Sequence, residues 1–256
     1  MDDKESSKAI QRLLEERSGK SVLTVADKTF SGYSTIRIAG PDSPAHVLLY
    51  KPEFESELPY LVAFQCGLAL RTVQSEPKFR FDVVSTERLH TDVRQLVTDH
   101  LRISQPGISR EMIPKLADQL ANGLGLQLRS MPIAIRVDDW IYRDFPALRP
   151  LQRQSIERQI QEAMHALSPS VRGFAPQKII DTNVSMSTAF ATFWSRTWND
   201  TTIPVAFVSA GYGKIGSELL DDVDSVDESP NFDRSIVEAW AKRLSIDCWF
   251  KMRDKV

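Results

Sequence analysis

Apolar residues recur at helical spacing over most of the chain, and strand-like runs fall within its first third. Residues 4–18 place Ile10, Leu13 and Leu14 on one face with charges on the other, and Gly19 follows as a stop, which predicts an amphipathic helix. Two runs rich in β-branched or apolar residues come next, Tyr33–Ala39 and His46–Tyr50. Gly40-Pro-Asp-Ser-Pro44 between them is turn chemistry, so a β-hairpin is expected. Leu58–Val73 reads as a helix, with Pro59 tolerable because it falls in the first turn. Phe79–Val83 alternates as a short strand.

The middle of the chain predicts helices over Glu87–Arg102 and Ser109–Leu128, separated by Gln105-Pro-Gly107, with Ser109 as an N-cap. Asp138–Arg143 and Pro150–Leu167 add two more, the first set off by a break at Met131-Pro132. Ser168-Pro-Ser-Val-Arg-Gly173 is the expected boundary between a domain over 1–170 and a helical subdomain over 171–256. Beyond it, Lys178–Trp198 reads as an aromatic-rich helix, and Ile203–Ser209 as a strand or a buried helix. Asp221–Glu228 reads as an acidic loop, and Asn231–Leu244 as a helix with Ile236, Val237, Trp240 and Leu244 on one face. The expected fold is α+β, mostly helical, with a small N-terminal antiparallel or mixed sheet.

Composition narrows the function classes. The 256 residues are 42% hydrophobic and 26% charged, enough for a sizeable core, and the net charge of −2 gives no global pull toward nucleic acid or anionic membrane. Cys66 and Cys248 sit in apolar runs and are expected to be small buried hydrophobes, with no disulfide. The acidic, polar N-terminus is unlike a signal peptide, and the longest apolar run, Leu58–Leu70, is too short to cross a bilayer. A cytoplasmic protein with no membrane partner is the expectation.

The segment Tyr60-Leu-Val-Ala-Phe-Gln-Cys-Gly-Leu-Ala-Leu-Arg71 resembles the zinc helix of the zincin-type (HExxH) metallopeptidases. In that pattern two histidines one turn apart bind zinc and a glutamate activates water. Here the three positions are Phe64, Gln65 and Leu68, which offer no metal ligand and no general base. The order of two strands followed by this helix is similar to the family's edge-strand and helix arrangement. The resemblance implies a small sheet packed on a degenerate zinc helix, and a non-catalytic scaffold that binds another protein. A core helix with a chance likeness is the alternative. Both readings make the segment structural, with Phe64 and Leu68 on an apolar face that buries itself, and neither calls for a cofactor.

Other chemistry is sparser. Arg129, Arg136, Asp138, Asp139 and Trp140 form the densest polar stretch and the candidate ligand cleft, from which an alternative function follows, a hydrolase or transferase. The competing account is an Arg–Asp network tying helices together, with Asp138 or Asp139 as an N-cap. Phe190, Phe193, Trp194 and Trp198 share a helix face and are either core or a partner-docking stripe. Gly211-Tyr-Gly-Lys-Ile-Gly216 has G-x-G-x-x-G spacing without the βαβ context of a dinucleotide site, and is expected to be a turn. His46, His90, His100 and His165 have no ligand partners at helical spacing. Nucleic-acid binding through Arg149, Arg153 and Arg158 is not favoured at this net charge.

Overall fold

A computed structural model describes residues 2–109 and 111–255. In chain order the elements are α1 (Asp3–Ser18), β1 (Ser21–Ala26), β2 (Ser34–Arg37), β3 (Ala45–Tyr50), α2 (Leu58–Gln74), β4 (Phe81–Ser85), α3 (Glu87–Ser104) and α4 (Met112–Asp144). There follow α5 (Arg149–Met164), α6 (Pro169–Phe174), α7 (Gln177–Trp198), α8 (Val205–Ser209), α9 (Gly213–Asp224), α10 (Asp233–Arg243) and β5 (Phe250–Asp254). The fold is α+β and mostly helical. Contacts divide the chain into two units, one holding the residues up to Glu76 with Ala134–Arg158, the other Pro77–Ile133 with the residues from Gln159 on. The divisions fall at 76/77, 133/134 and 158/159, whereas Ser168–Gly173, the expected boundary, lies inside the second unit. There Ser168 caps α6 by accepting from the Val171 N–H, with Pro169 in the first turn.

In the first unit, α1 begins where the Asp2 side chain accepts from the Glu5 N–H and ends at Gly19 in the left-handed conformation. Ile10 and Leu14 are fully buried while Leu13 is exposed, a narrower stripe than the sequence predicts. The sheet is mixed, in the order β1-β3-β2. The expected hairpin forms β2 and β3, paired Ser34 to Tyr50 through Arg37 to Val47. Strand β1 is additional and parallel to β3, Ser21 opposite Ala45 through Ala26 opposite Tyr50. Its β-branched Ser-Val-Leu-Thr-Val-Ala run carried the signal. The Lys20 ammonium donates to the carbonyls of Gly40, Pro41 and Ser43, which pins the turn between β2 and β3. Helix α2 packs on α1 and on the sheet. Where it meets α4 the backbones come close, because a Cβ on Gly67 would lie 2.6 Å from Val137 Cγ1.

In the second unit β4 pairs antiparallel with the C-terminal β5, Phe81 to Asp254 through Ser85 to Phe250. Helices α7 and α9 pack closely at Gly216, where a Cβ would fall 2.5 Å from Thr188 Cγ2 and 3.1 Å from the Thr188 backbone carbon. The expected acidic loop is half helix: Asp221–Asp224 close α9, and Asp222 meets Arg243 of α10 at 2.6 Å. Trp240 is fully buried and its indole N–H donates to the Leu219 carbonyl at 2.8 Å. Cys248 is exposed, unlike Cys66, because it sits in a turn of 3-10 helix that buries Trp249 instead.

Further helix assignments differ from the sequence reading. Helix α4 runs through Pro132 without a break, so Asp138 and Asp139 lie in its body and neither is an N-cap. Ile203–Ser209 resolves into the short helix α8. Among the described residues no helix is long and apolar enough to cross a membrane.

Candidate functional site

The positions corresponding to the zinc motif sit in the first unit on α2. Phe64 and Leu68 are half-buried, while Gln65 between them is buried. Its amide Nε2 donates to the Ser34 carbonyl at 3.1 Å and lies 3.2 Å from the Ser34 hydroxyl. The expected apolar face is thus displaced: the sheet draws in residue 65, and 64 and 68 flank the contact. Cys66 is fully buried, and burial, helped by the negative charge of Glu15, pushes its thiol up to about 12. A thiol held there is inert as a ligand or nucleophile at neutral pH. Among the described residues no group of three or more His, Cys, Asp or Glu side chains is placed to hold a metal ion.

The candidate cleft residues share α4, and Asp138 is set apart from the others. Asp138 lies about 200° around the helix from Arg136, on the opposite side. Arg136 is buried, Asp139 pairs with Arg143 one turn on at 3.2 Å, and Trp140 stacks edge-on to Phe145 at 5.3 Å. Arg129, in the second unit, is exposed. Asp138 sits in a built polar environment. Its Oδ1 accepts from the Tyr60 hydroxyl at 2.8 Å and from Gln152 Nε2 at 3.1 Å, and the same amide donates to the Asp138 carbonyl at 2.8 Å. All three residues are nearly or wholly buried. Burial pushes the Asp138 carboxyl up to about 7 against the two hydrogen bonds, with Asp139 adding to the rise. The Tyr60 hydroxyl is pushed well up by burial and then by Asp138, so it stays a donor. The Oε1 of Gln152 is buried with no partner among the described residues.

A second network was not legible in the sequence. Glu57, buried just before α2, receives both terminal nitrogens of Arg158 from α5, and Gln154 Nε2 at 3.2 Å. The guanidinium carbon lies 4.9 Å from the Tyr33 ring centre and 4.4 Å from that of Phe54. The pairing with Glu57 raises the Arg158 pKa further. Residues 101 positions apart carry no local signature of such a pair. The other arginines of the basic group are also engaged: Arg153 with Glu157 at 2.7 Å, and Arg149 Nε on the Tyr142 carbonyl at 2.8 Å.

His46 is the buried histidine of the sheet. Its Nδ1 accepts from the Ala39 N–H at 3.0 Å, which places the proton on Nε2, 2.9 Å from the Ser18 hydroxyl. Burial and then the Lys20 charge lower its pKa below 6.5, against a smaller opposing effect of Glu15. A histidine kept neutral when folded contributes stability that is complete above the unfolded value of about 6.5 and is lost as pH falls below it. We expect the His46 ring to titrate below 6.5 by NMR, and His46→Gln to reduce the loss of stability on acidification through that range. A His46 midpoint above 6.5 would contradict this.

The aromatic stripe belongs to the core of the second unit. Trp194 and Phe190 are buried, Phe193 and Trp198 half-buried, and Trp194 stacks on Trp198 at 4.6 Å and edge-on to Phe193 at 5.1 Å. Two of its four members are therefore withdrawn from any docking surface. The expected turn over Gly211–Gly216 gives way to helix at Gly213, where α9 begins, and Gly216 packs directly against Thr188. The chain matches no protein-family model, no curated protein and no solved structure.

Proposed function

We propose that this chain works by binding another macromolecule, most simply a protein, on a metalloprotease-like N-terminal scaffold that has no catalytic role. The observation that carries the reading is Asp138. Its pKa near 7 would suit acid–base chemistry, yet its carboxyl is buried and both donors it meets are internal. Gln65 supports the same reading, because its amide ties α2 to β2 where a metallopeptidase would present a carboxylate.

Two experiments test this. Metal content of protein purified without chelator should be far below one ion per chain, and one bound zinc would overturn the reading. Gln65→Glu should destabilise by about 1–3 kcal/mol, since it turns a donor facing the Ser34 carbonyl into a buried acceptor. An unchanged urea midpoint would show that the amide carries no such tie. The metalloprotease-like part has its own test in the triple variant Phe64→His, Gln65→Glu and Leu68→His. Zinc uptake by the folded variant supports that part, and folding without uptake counts against it.

A further inference from the structure

We infer that β1 is a self-pairing edge, and that two copies of this chain join β1 to β1, antiparallel, about a two-fold axis at Thr24. The inference deepens the binding reading, on which it rests, by naming the partner as a second copy. It begins with strand order: β1-β3-β2 leaves β1 with one unpaired side. The N–H of Asp27 donates to the Tyr50 carbonyl of β3, so alternation directs Ser21, Leu23 and Val25 toward β3 and Val22, Thr24 and Ala26 outward. Val22 bears this out, since its N–H donates to the Glu15 carboxylate and not to β3. Every residue of β1 except Val22 is exposed.

The outward groups are symmetric about Thr24. In an antiparallel pair, hydrogen-bonded residues exchange both bonds. With Thr24 opposite its own copy, Val22 falls opposite Ala26 at each end, and all the outward N–H and C=O groups are matched at once. The same register sets Leu23 opposite Val25 twice, joining side chains that are 54% and 44% exposed into one apolar strip. It also places the Ser21 hydroxyl opposite the Asp27 carboxylate. Lys28 comes opposite Lys20, whose ammonium is already held by three carbonyls.

The usual protection of an edge is missing. Ser21–Ala26 contains no charge and no proline, and the Asp27 carboxylate is turned onto the Thr29 N–H and hydroxyl at 2.8 and 2.6 Å. Glu15 guards one end of the edge, accepting from Val22 at 2.9 Å, and it must swing aside for the outermost bonds to form.

Sedimentation equilibrium of the full chain tests the pairing. The wild type should show a monomer–dimer equilibrium, and Glu15→Ala should tighten it about tenfold by freeing one donor in each copy. Thr24→Pro removes an outward N–H that makes no bond to β3, so it should keep the fold and weaken the dimer at least about tenfold. Should that variant fail to fold, Leu23→Lys at an exposed position should weaken the dimer instead. Wild type and Glu15→Ala that both stay monomeric overturn the proposal, as does a dimer indifferent to Thr24→Pro and Leu23→Lys. A monomer without bound metal leaves the broader binding reading standing, whereas stoichiometric zinc in a dimer overturns that reading alone.

Discussion

Asp138→Asn will make this protein more stable above neutral pH and relatively less so in acid, so that its stability profile crosses that of the wild type. Burial holds the Asp138 carboxyl protonated to about 7, against an ordinary value of 3.8. Between those values the folded chain keeps a proton that the unfolded chain has released, and stability falls as pH rises. The contribution is complete below 3.8 and lost as pH climbs through 7. The interval corresponds to about 4 kcal/mol, which the variant does not lose. An asparagine keeps an oxygen that accepts from Tyr60 and Gln152. Urea unfolding of both proteins at pH 4, 6 and 8.5 reads the difference directly. A stability difference that stays constant across the three would mean the carboxyl titrates normally and the network carries no buried proton. Asp138→Leu provides the contrast: it strands the Tyr60 hydroxyl and leaves the Gln152 amide only the backbone carbonyl, and should be destabilising at every pH.

Helix α1 and the hairpin were legible because each rests on local signals. α1 has a capping Asp2 and a stop at Gly19, and β2 and β3 flank a Pro-Asp-Ser-Pro turn. What was missed depends on contacts distant in sequence. β1 is stabilised by parallel pairing to β3 across a connection that holds β2, and β5 by pairing with β4 more than 160 residues earlier. Pro132 looked like a break because a proline costs its helix a hydrogen bond, yet burial of Ala134, Ile135, Val137 and Ile141 carries α4 through it. The candidate cleft shows the same limit. Sequence density picked out Asp138, but its partners Tyr60 and Gln152 come from 78 positions upstream and 14 downstream. Spacing along α4 could not distinguish a carboxyl facing solvent from one sealed between helices.

Arg158→Met is expected to cost the most of any single change considered, about 3–5 kcal/mol, because it leaves the Glu57 carboxylate buried with only the Gln154 amide to meet it. Glu57 exposes 2% of its side chain, so water cannot take over the role of the guanidinium. The loss exceeds the net worth of the pair, since most of it is the penalty on the stranded charge. The double variant Glu57→Met with Arg158→Met should therefore recover most of the stability, and Glu57→Gln alone should cost less than Arg158→Met. Arg158→Lys tests the stacking: a lysine keeps the charge but cannot donate through two parallel N–H groups while lying flat between Tyr33 and Phe54. It should fall between wild type and Arg158→Met. Equal losses for Arg158→Lys and Arg158→Met would assign the contribution to the planar fork, and a harmless Arg158→Lys to charge alone. If the double variant is as unstable as Arg158→Met, then burial of Glu57 is not what makes the arginine necessary, and packing of its stem against Phe54 is.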